Sequence, residues 1–84
     1  MQVALKLFAT LGKLLPAAAQ HPNGLELELA PGTTVQELIA AQRIPPDLCA
    51  LVLVNGVYIA PSERAAWALA QGDTVAIWPP VGGG

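Results

Sequence analysis

The sequence predicts an α+β fold: a mixed sheet of four to five strands with one main helix across one face. Three observations predict it. Residues 3–8, 25–29 and 74–78 alternate core-type and outward side chains at the two-residue period of a strand. Residues 34–43 carry apolar side chains at helical spacing behind a helix-start signature. Residues 51–59 hold two further apolar runs around an Asn-Gly turn. A single amphipathic helix among several one-sided strands buries its stripe by lying on their common face.

In chain order, Val3, Leu5 and Leu7 share one face of the first strand, with Ala4, Lys6 and Phe8 on the other. Leu11, Leu14 and Leu15 suggest a short turn or helix, expected to stop near Pro16. Asn23-Gly24 signals a turn. Leu25, Leu27 and Leu29 then alternate with Glu26 and Glu28, a strand with leucines inward and carboxylates in water. A catalytic carboxylate pair is disfavoured there, because nothing desolvates the two acids or separates their acidities. Pro31-Gly32 turns the chain into Thr34-Val35-Gln36-Glu37, which has the form of a capping box. The helix it starts should reach about Arg43, since Pro45 and Pro46 forbid continuation. Residues 51–54 read as a strand covered on both faces, and Asn55-Gly56 as a type I′ hairpin turn into residues 57–59. Residues 61–70 are alanine-rich, with Ser62 as a candidate cap, and fit either a short helix or an irregular crossover. Gln71-Gly72-Asp73 turns into the last strand, where Val75 and Ile77 share one face and Thr74, Ala76 and Trp78 the other. The expected core is Leu5, Leu7, Leu27, Leu38, Ile39, Val75 and Ile77. Phe8, Ala76 and Trp78 then project from the side opposite the helix and form the candidate partner-binding face.

At 84 residues the chain makes one small domain, and with 54% hydrophobic and 12% charged residues it should leave apolar groups on its surface. A net charge of −2 without a basic run gives nucleic-acid binding no support. Cys49 is the single cysteine, so neither an internal disulfide nor a cysteine metal cluster is expected, and no metal site is assigned. Ala17-Ala18-Ala19 resembles a signal-peptidase site, but Lys6, Gly12, Lys13 and Pro16 interrupt the apolar stretch before it. No apolar run is long enough to span a membrane. The expectation is a soluble cytoplasmic protein.

The last strand runs into Pro79-Pro80-Val81-Gly82-Gly83-Gly84. The prolines lack N–H groups and end strand pairing. Six residues reach at most about 20 Å from the fold. Three glycines without Cβ atoms can pass through a channel that any side chain would block. The α-carboxylate of Gly84 is unhindered, and a carboxylate on a thin arm is well shaped for another enzyme's active site. An inert glycine tail is the alternative.

In this order the residues resemble the β-grasp sulfur carriers, which include the small subunit of molybdopterin synthase and the thiamine-biosynthesis carrier. The marks are Val3-Ala4-Leu5-Lys6-Leu7-Phe8-Ala9, Thr34-Val35-Gln36-Glu37-Leu38, Val54-Asn55-Gly56, Gly72-Asp73-Thr74-Val75, and Pro79-Pro80-Val81 before the glycines. They span essentially the whole chain. The opening and the ending are similar to the molybdopterin synthase small subunit, whereas Ala60-Pro61-Ser62-Glu63-Arg64-Ala65-Ala66-Trp67 is similar to the thiamine carrier.

The resemblance implies a β-grasp, ubiquitin-like roll over residues 1–78 and a flexible reactive tail over residues 79–84. It implies that an E1-like adenylating enzyme uses ATP to join the Gly84 carboxylate to AMP, and that a sulfur donor converts the adenylate to a thiocarboxylate. Pro79, Pro80, Val81, Gly82 and Gly83 would thread the active-site passage. The sulfur would go to a pterin precursor in the large subunit of molybdopterin synthase. The chain would then be a carrier with no bound cofactor rather than an independent catalyst. Sulfur delivery to a thiazole or to RNA, a ubiquitin-like modifier joined to target lysines, and a β-grasp interaction module with an inert tail are the alternatives.

The remaining polar groups read blandly. Cys49 could form a thioester or disulfide with a sulfur donor, but a small buried core residue is favoured. His21 is a solvent-facing loop residue, and Lys6, Lys13, Arg43 and Arg64 are solvated charges. Trp67 fits either core or surface.

Overall fold

The computed structural model describes residues 1–80. Five strands form one sheet: β1 (Gln2–Leu7), β2 (Leu25–Glu28), β3 (Leu51–Val54), β4 (Val57–Tyr58) and β5 (Thr74–Trp78). Two α-helices, α1 (Pro16–Gln20) and α2 (Val35–Ala41), and three short 3₁₀ turns complete the fold. The sheet order is β2-β1-β5-β3-β4, with β5 parallel to β1 and the other pairs antiparallel. First and last strands thus lie side by side at the centre, in the register Leu5↔Val75 and Leu7↔Ile77. This is the expected mixed sheet with one main helix.

The core follows strand parity. Val3, Leu5 and Leu7 of β1, Val52 and Val54 of β3, and Val75 and Ile77 of β5 are buried with Val35, Leu38 and Ile39 of α2. Six of the seven expected core residues are there. Leu27 is the correction: it is half-buried, because β2 is an edge strand flanked on one side only. Glu26 and Glu28 point to solvent as expected.

Helix α2 shows why a seven-residue helix is well formed here. Four N-terminal N–H groups of a helix lack internal partners unless the cap supplies them. Thr34 and Glu37 form the capping box, with Glu37 N donating to Thr34 Oγ1 at 3.2 Å and Thr34 N to Glu37 Oε1 at 2.9 Å. The crossover segment serves the next two donors: Val35 N bonds Trp67 O at 2.9 Å and Gln36 N bonds Arg64 O at 3.0 Å. Residues 61–70 are therefore an irregular crossover that tethers the helix start, with a 3₁₀ turn at Pro61–Glu63 whose cap is Ala60 rather than Ser62.

The helix stops at Ala41, two residues before the expected end. Ile44 N reaches Ile39 O at 3.1 Å and Arg43 N reaches Ala40 O at 3.0 Å. This is a Schellman closure with Arg43 in the left-handed region at φ 57°. Glycine adopts that conformation without the Cβ penalty. Arg43→Gly is therefore expected to raise stability by about 0.5–1 kcal/mol, read from the urea midpoint at constant m.

Three further expectations are corrected. Pro16 begins a helix instead of ending one, because at the first helical position its missing N–H has no partner to lose. Strand β3 is covered on one face only: Leu51 is exposed and Leu53 half-buried. Arg64 is buried rather than solvated, donating from Nε to Ile59 O at 3.2 Å and from Nη1 to Cys49 O at 2.8 Å. Cys49 does occupy the core. Trp67 is partly buried against it.

The Asn23-Gly24 turn is held by sterics as well as by dihedral preference. Gly24 sits at φ 81°, and a Cβ there would lie 2.6 Å from Leu5 O and 2.8 Å from Lys6 Cγ. Gly24→Ala is expected to cost about 2 kcal/mol or more, since left-handed strain adds to a backbone clash. An unchanged thermal midpoint would contradict that packing of the turn against β1.

Candidate functional site

The site is built where β5 leaves the sheet. Flanked by β1 and β3, β5 keeps hydrogen bonds on both sides to its last residue: Phe8 N donates to Ile77 O at 3.1 Å and Ala50 N to Trp78 O at 3.0 Å. Pro79 and Pro80 have no N–H to continue the ladder. The chain therefore departs the sheet from a rigid, doubly bonded anchor. Val81, Gly82, Gly83 and Gly84, named from the sequence as tail and reactive terminus, lie outside the described residues.

The structure brings together the three partner-face residues that the sequence predicts. Phe8 and Trp78 stack, with ring centroids 4.1 Å apart and planes 4° from parallel. Both rings are half-buried and outside the core cluster. Ala76 lies between Lys6 on β1 and Leu53 on β3. By strand parity all three point away from α2. Ala76 is small, so the middle of this face is low, with the aromatic stack standing at the tail's base.

Sequence reasoning missed the other half of the face. Leu51 pairs with Trp78, Leu53 with Ala76, and Tyr58 with Leu53. Leu51 is 38% exposed and Tyr58 52%. Strand parity groups Leu51 with Leu53, and the burial of Val52 and Val54 beneath α2 is what puts that pair on the open side. Four apolar runs of adjacent strands thus make one surface around the tail exit. Exposed apolar area of this kind makes this the candidate docking face of the domain.

The groups with ordinary catalytic chemistry are elsewhere. Burial pushes the Cys49 thiol above its ordinary range; the Arg64 charge opposes this and Asp47 adds to it. Its Sγ lies 3.6 Å from Pro45 O. A buried thiol held in its protonated form is a weak nucleophile. His21 is exposed in a loop. Asp73 is structural, accepting from Ala70 N and from Asn55 Nδ2, each at 2.8 Å. Among the described residues, no group of three His, Cys, Asp or Glu side chains could hold a metal ion. No described helix is long and apolar enough to cross a membrane. What the described residues bring together is an apolar sheet face at the point where Pro79 and Pro80 leave β5.

A parallel β1/β5 centre, a capped helix across one face and a tail leaving the middle strand define a ubiquitin-like β-grasp protein. The ThiS family model matches residues 5–84, and the chain belongs to this family of β-grasp sulfur carriers. SAMP1 from Haloferax volcanii, also described as small archaeal modifier protein 1, is 27% identical; the match covers 100% of each chain with a TM-score of 0.65. A putative molybdopterin converting factor, subunit 1, from Pyrococcus furiosus is 25% identical, covering 96% of this chain and 99% of that one at a TM-score of 0.69. The complex of subunits 1 and 2 of molybdopterin-converting factor from Helicobacter pylori contains a chain with the same fold, 19% identical over 100% of each chain at a TM-score of 0.59. No curated protein matches the sequence.

Proposed function

We propose that this chain carries sulfur as a thiocarboxylate at Gly84 and donates it in molybdopterin formation, as the small subunit of a two-subunit synthase. The observation that carries the reading is the Phe8–Trp78 stack at the point where a proline-terminated central strand releases the tail. The family match and the likeness to the Pyrococcus furiosus subunit support it. The Helicobacter pylori complex of subunits 1 and 2 supplies a parallel for pairing with a second subunit.

The chemistry assigned to the tail has two steps. A carboxylate is a poor electrophile, because its negative charge is delocalised over both oxygens. Attack of a Gly84 carboxylate oxygen on the α-phosphorus of ATP, held by an E1-like activating enzyme, expels pyrophosphate and leaves an acyl-adenylate. A sulfur nucleophile then adds to the acyl carbon and displaces AMP. Hydrosulfide gives the thiocarboxylate and a proton directly; a persulfide donor also needs a thiol to cleave its S–S bond. The carrier's own contribution is tethering: residues 79–84 are the arm, and Gly82 and Gly83 leave it narrow enough for a closed passage. ATP belongs to the activating enzyme and is not a resident cofactor of this chain.

A second reading, a modifier joined through Gly84 to target lysines, is favoured by the full-length likeness to SAMP1. It shares the adenylation step and differs in the nucleophile that follows. Pyrophosphate release tests the shared step. A panel of E1-like adenylating enzymes with ATP is expected to release pyrophosphate in proportion to the carrier added. No carrier-dependent release from enzymes active on their own carriers would overturn both readings.

A further inference from the structure

On the helix side, remote from the Phe8–Trp78 face, a half-open cavity of about 490 Å³ lies between the end of α2 and the crossover. Its walls are mostly apolar, from Ile39, Ala40 and Ile44 and the rings of Pro45, Pro46 and Pro61, with Gln36 as an uncharged polar member. Its charged members are both cations, Arg43 at the exposed rim and Arg64 in the wall. No aspartate or glutamate lines it among the described residues.

Arg64 is the anomaly. It is 7% exposed, and the acceptors it has found are two backbone carbonyls, Ile59 O on Nε and Cys49 O on Nη1. Its Nη2 is buried with no hydrogen-bond partner. A guanidinium cannot shed its proton to escape the cost, and a buried cation without a carboxylate is costly in a folded protein. If Arg64 served only to tie the crossover to the segments just before β3 and just after β4 through those two carbonyls, the third nitrogen would be better left in water. The carboxylate that would complete the group has no source in the cavity wall.

We propose that this cavity binds a small organic acid, a monocarboxylate on an apolar body. The volume falls in the range of small-molecule sites, and such sites combine apolar walls with a few charged groups that orient the ligand. The carboxylate would meet the two arginines, taking the unused edge of Arg64 in a charge-assisted bond, and the apolar body would lie against the prolines and Ile39. Because Nη2 lies beneath the surface, binding includes a displacement of the guanidinium or of its cover. The site is independent of the tail and stands or falls apart from sulfur transfer.

Titration of the isotope-labelled protein with phenylbutyrate, followed by amide and arginine Nε–H NMR, tests the proposal. Saturable shifts at Ile39, Ala40, Ile44 and the Arg64 Nε–H are expected, with Kd of about 1 mM or tighter. The uncharged phenylbutyramide should bind at least about tenfold more weakly, since it lacks the charge. Ala40→Phe fills the cavity from an exposed helix position and leaves the Arg64 backbone bonds in place; it should abolish the shifts while keeping the native spectrum. Absence of saturable shifts at these residues, equal affinity for acid and amide, or undiminished binding by the folded Ala40→Phe protein would each overturn the proposal. Tighter binding of an acetylated Leu-Glu-Leu peptide would overturn it too, by making the site a protein contact.

Discussion

A chain extended by one alanine beyond Gly84 is expected to form no detectable thiocarboxylate and to melt at the temperature of the parent protein. The extension moves the terminal carbonyl by one residue, about 3.5 Å, whereas reacting atoms must approach to about 3–3.5 Å in aligned geometry. The new Cβ would also enter a passage matched to glycine. Stability should not change, because the anchor of the tail is Trp78, whose carbonyl is bonded to Ala50 N at 3.0 Å. Deleting Gly84 is the weaker version of the experiment, since Gly83 then presents an equivalent glycine terminus. Gly83→Val tests the channel without changing the length. Full thiocarboxylate formation by the extended chain, measured by intact mass, would show that activation does not depend on the position of the Gly84 carboxylate.

The second large effect is expected at the sheet face. Under the proposed synthase role, Trp78→Ala should weaken binding of the large subunit by about 2 kcal/mol or more, close to thirtyfold in Kd, as central aromatic anchors do. Phe8→Ala should weaken it as well, and the two losses should not add, because each ring is the other's stacking partner at 4.1 Å. Folding should suffer less than binding, since both rings are half-buried and outside the core cluster. Stacking contributes about 0.5–1.5 kcal/mol to the isolated fold. Calorimetric titration with the large subunit, paired with urea unfolding, separates the two. A folded double variant with parental affinity would remove this face from the interface.

What could be read from the sequence was what local chemistry dictates. Thr34 and Glu37 announce α2 because the capping box is a four-residue device, and both of its hydrogen bonds form. Asn55-Gly56 announces the hairpin because both residues must take positive φ, and they do, at 51° and 82°. Strand parity, with β1 and β5 as neighbours, places Phe8, Ala76 and Trp78 on one face.

The rest depended on contacts between distant segments. Arg64 looks like any solvated cation in sequence; its burial follows from carbonyls at Ile59 and Cys49 that no motif marks. Leu51 and Leu53 sit in an apolar run that local pattern cannot divide into a covered and an open side. That division comes from α2 lying across only one face of the sheet. Pro16 was legible as a breaker and not as a first helical residue, because the difference lies in whether the preceding turn needs its N–H.

The central claim is that this β-grasp domain exists to present Gly84 for sulfur loading. The direct measurement is the intact mass of the protein after incubation with ATP, an activating enzyme that releases carrier-dependent pyrophosphate, and hydrosulfide. The expected result is a mass gain equal to one oxygen replaced by sulfur, confined on digestion to the peptide that ends in Gly84. An unchanged mass despite continuing adenylation, or capture of the chain in isopeptide bonds to lysines instead, would contradict it.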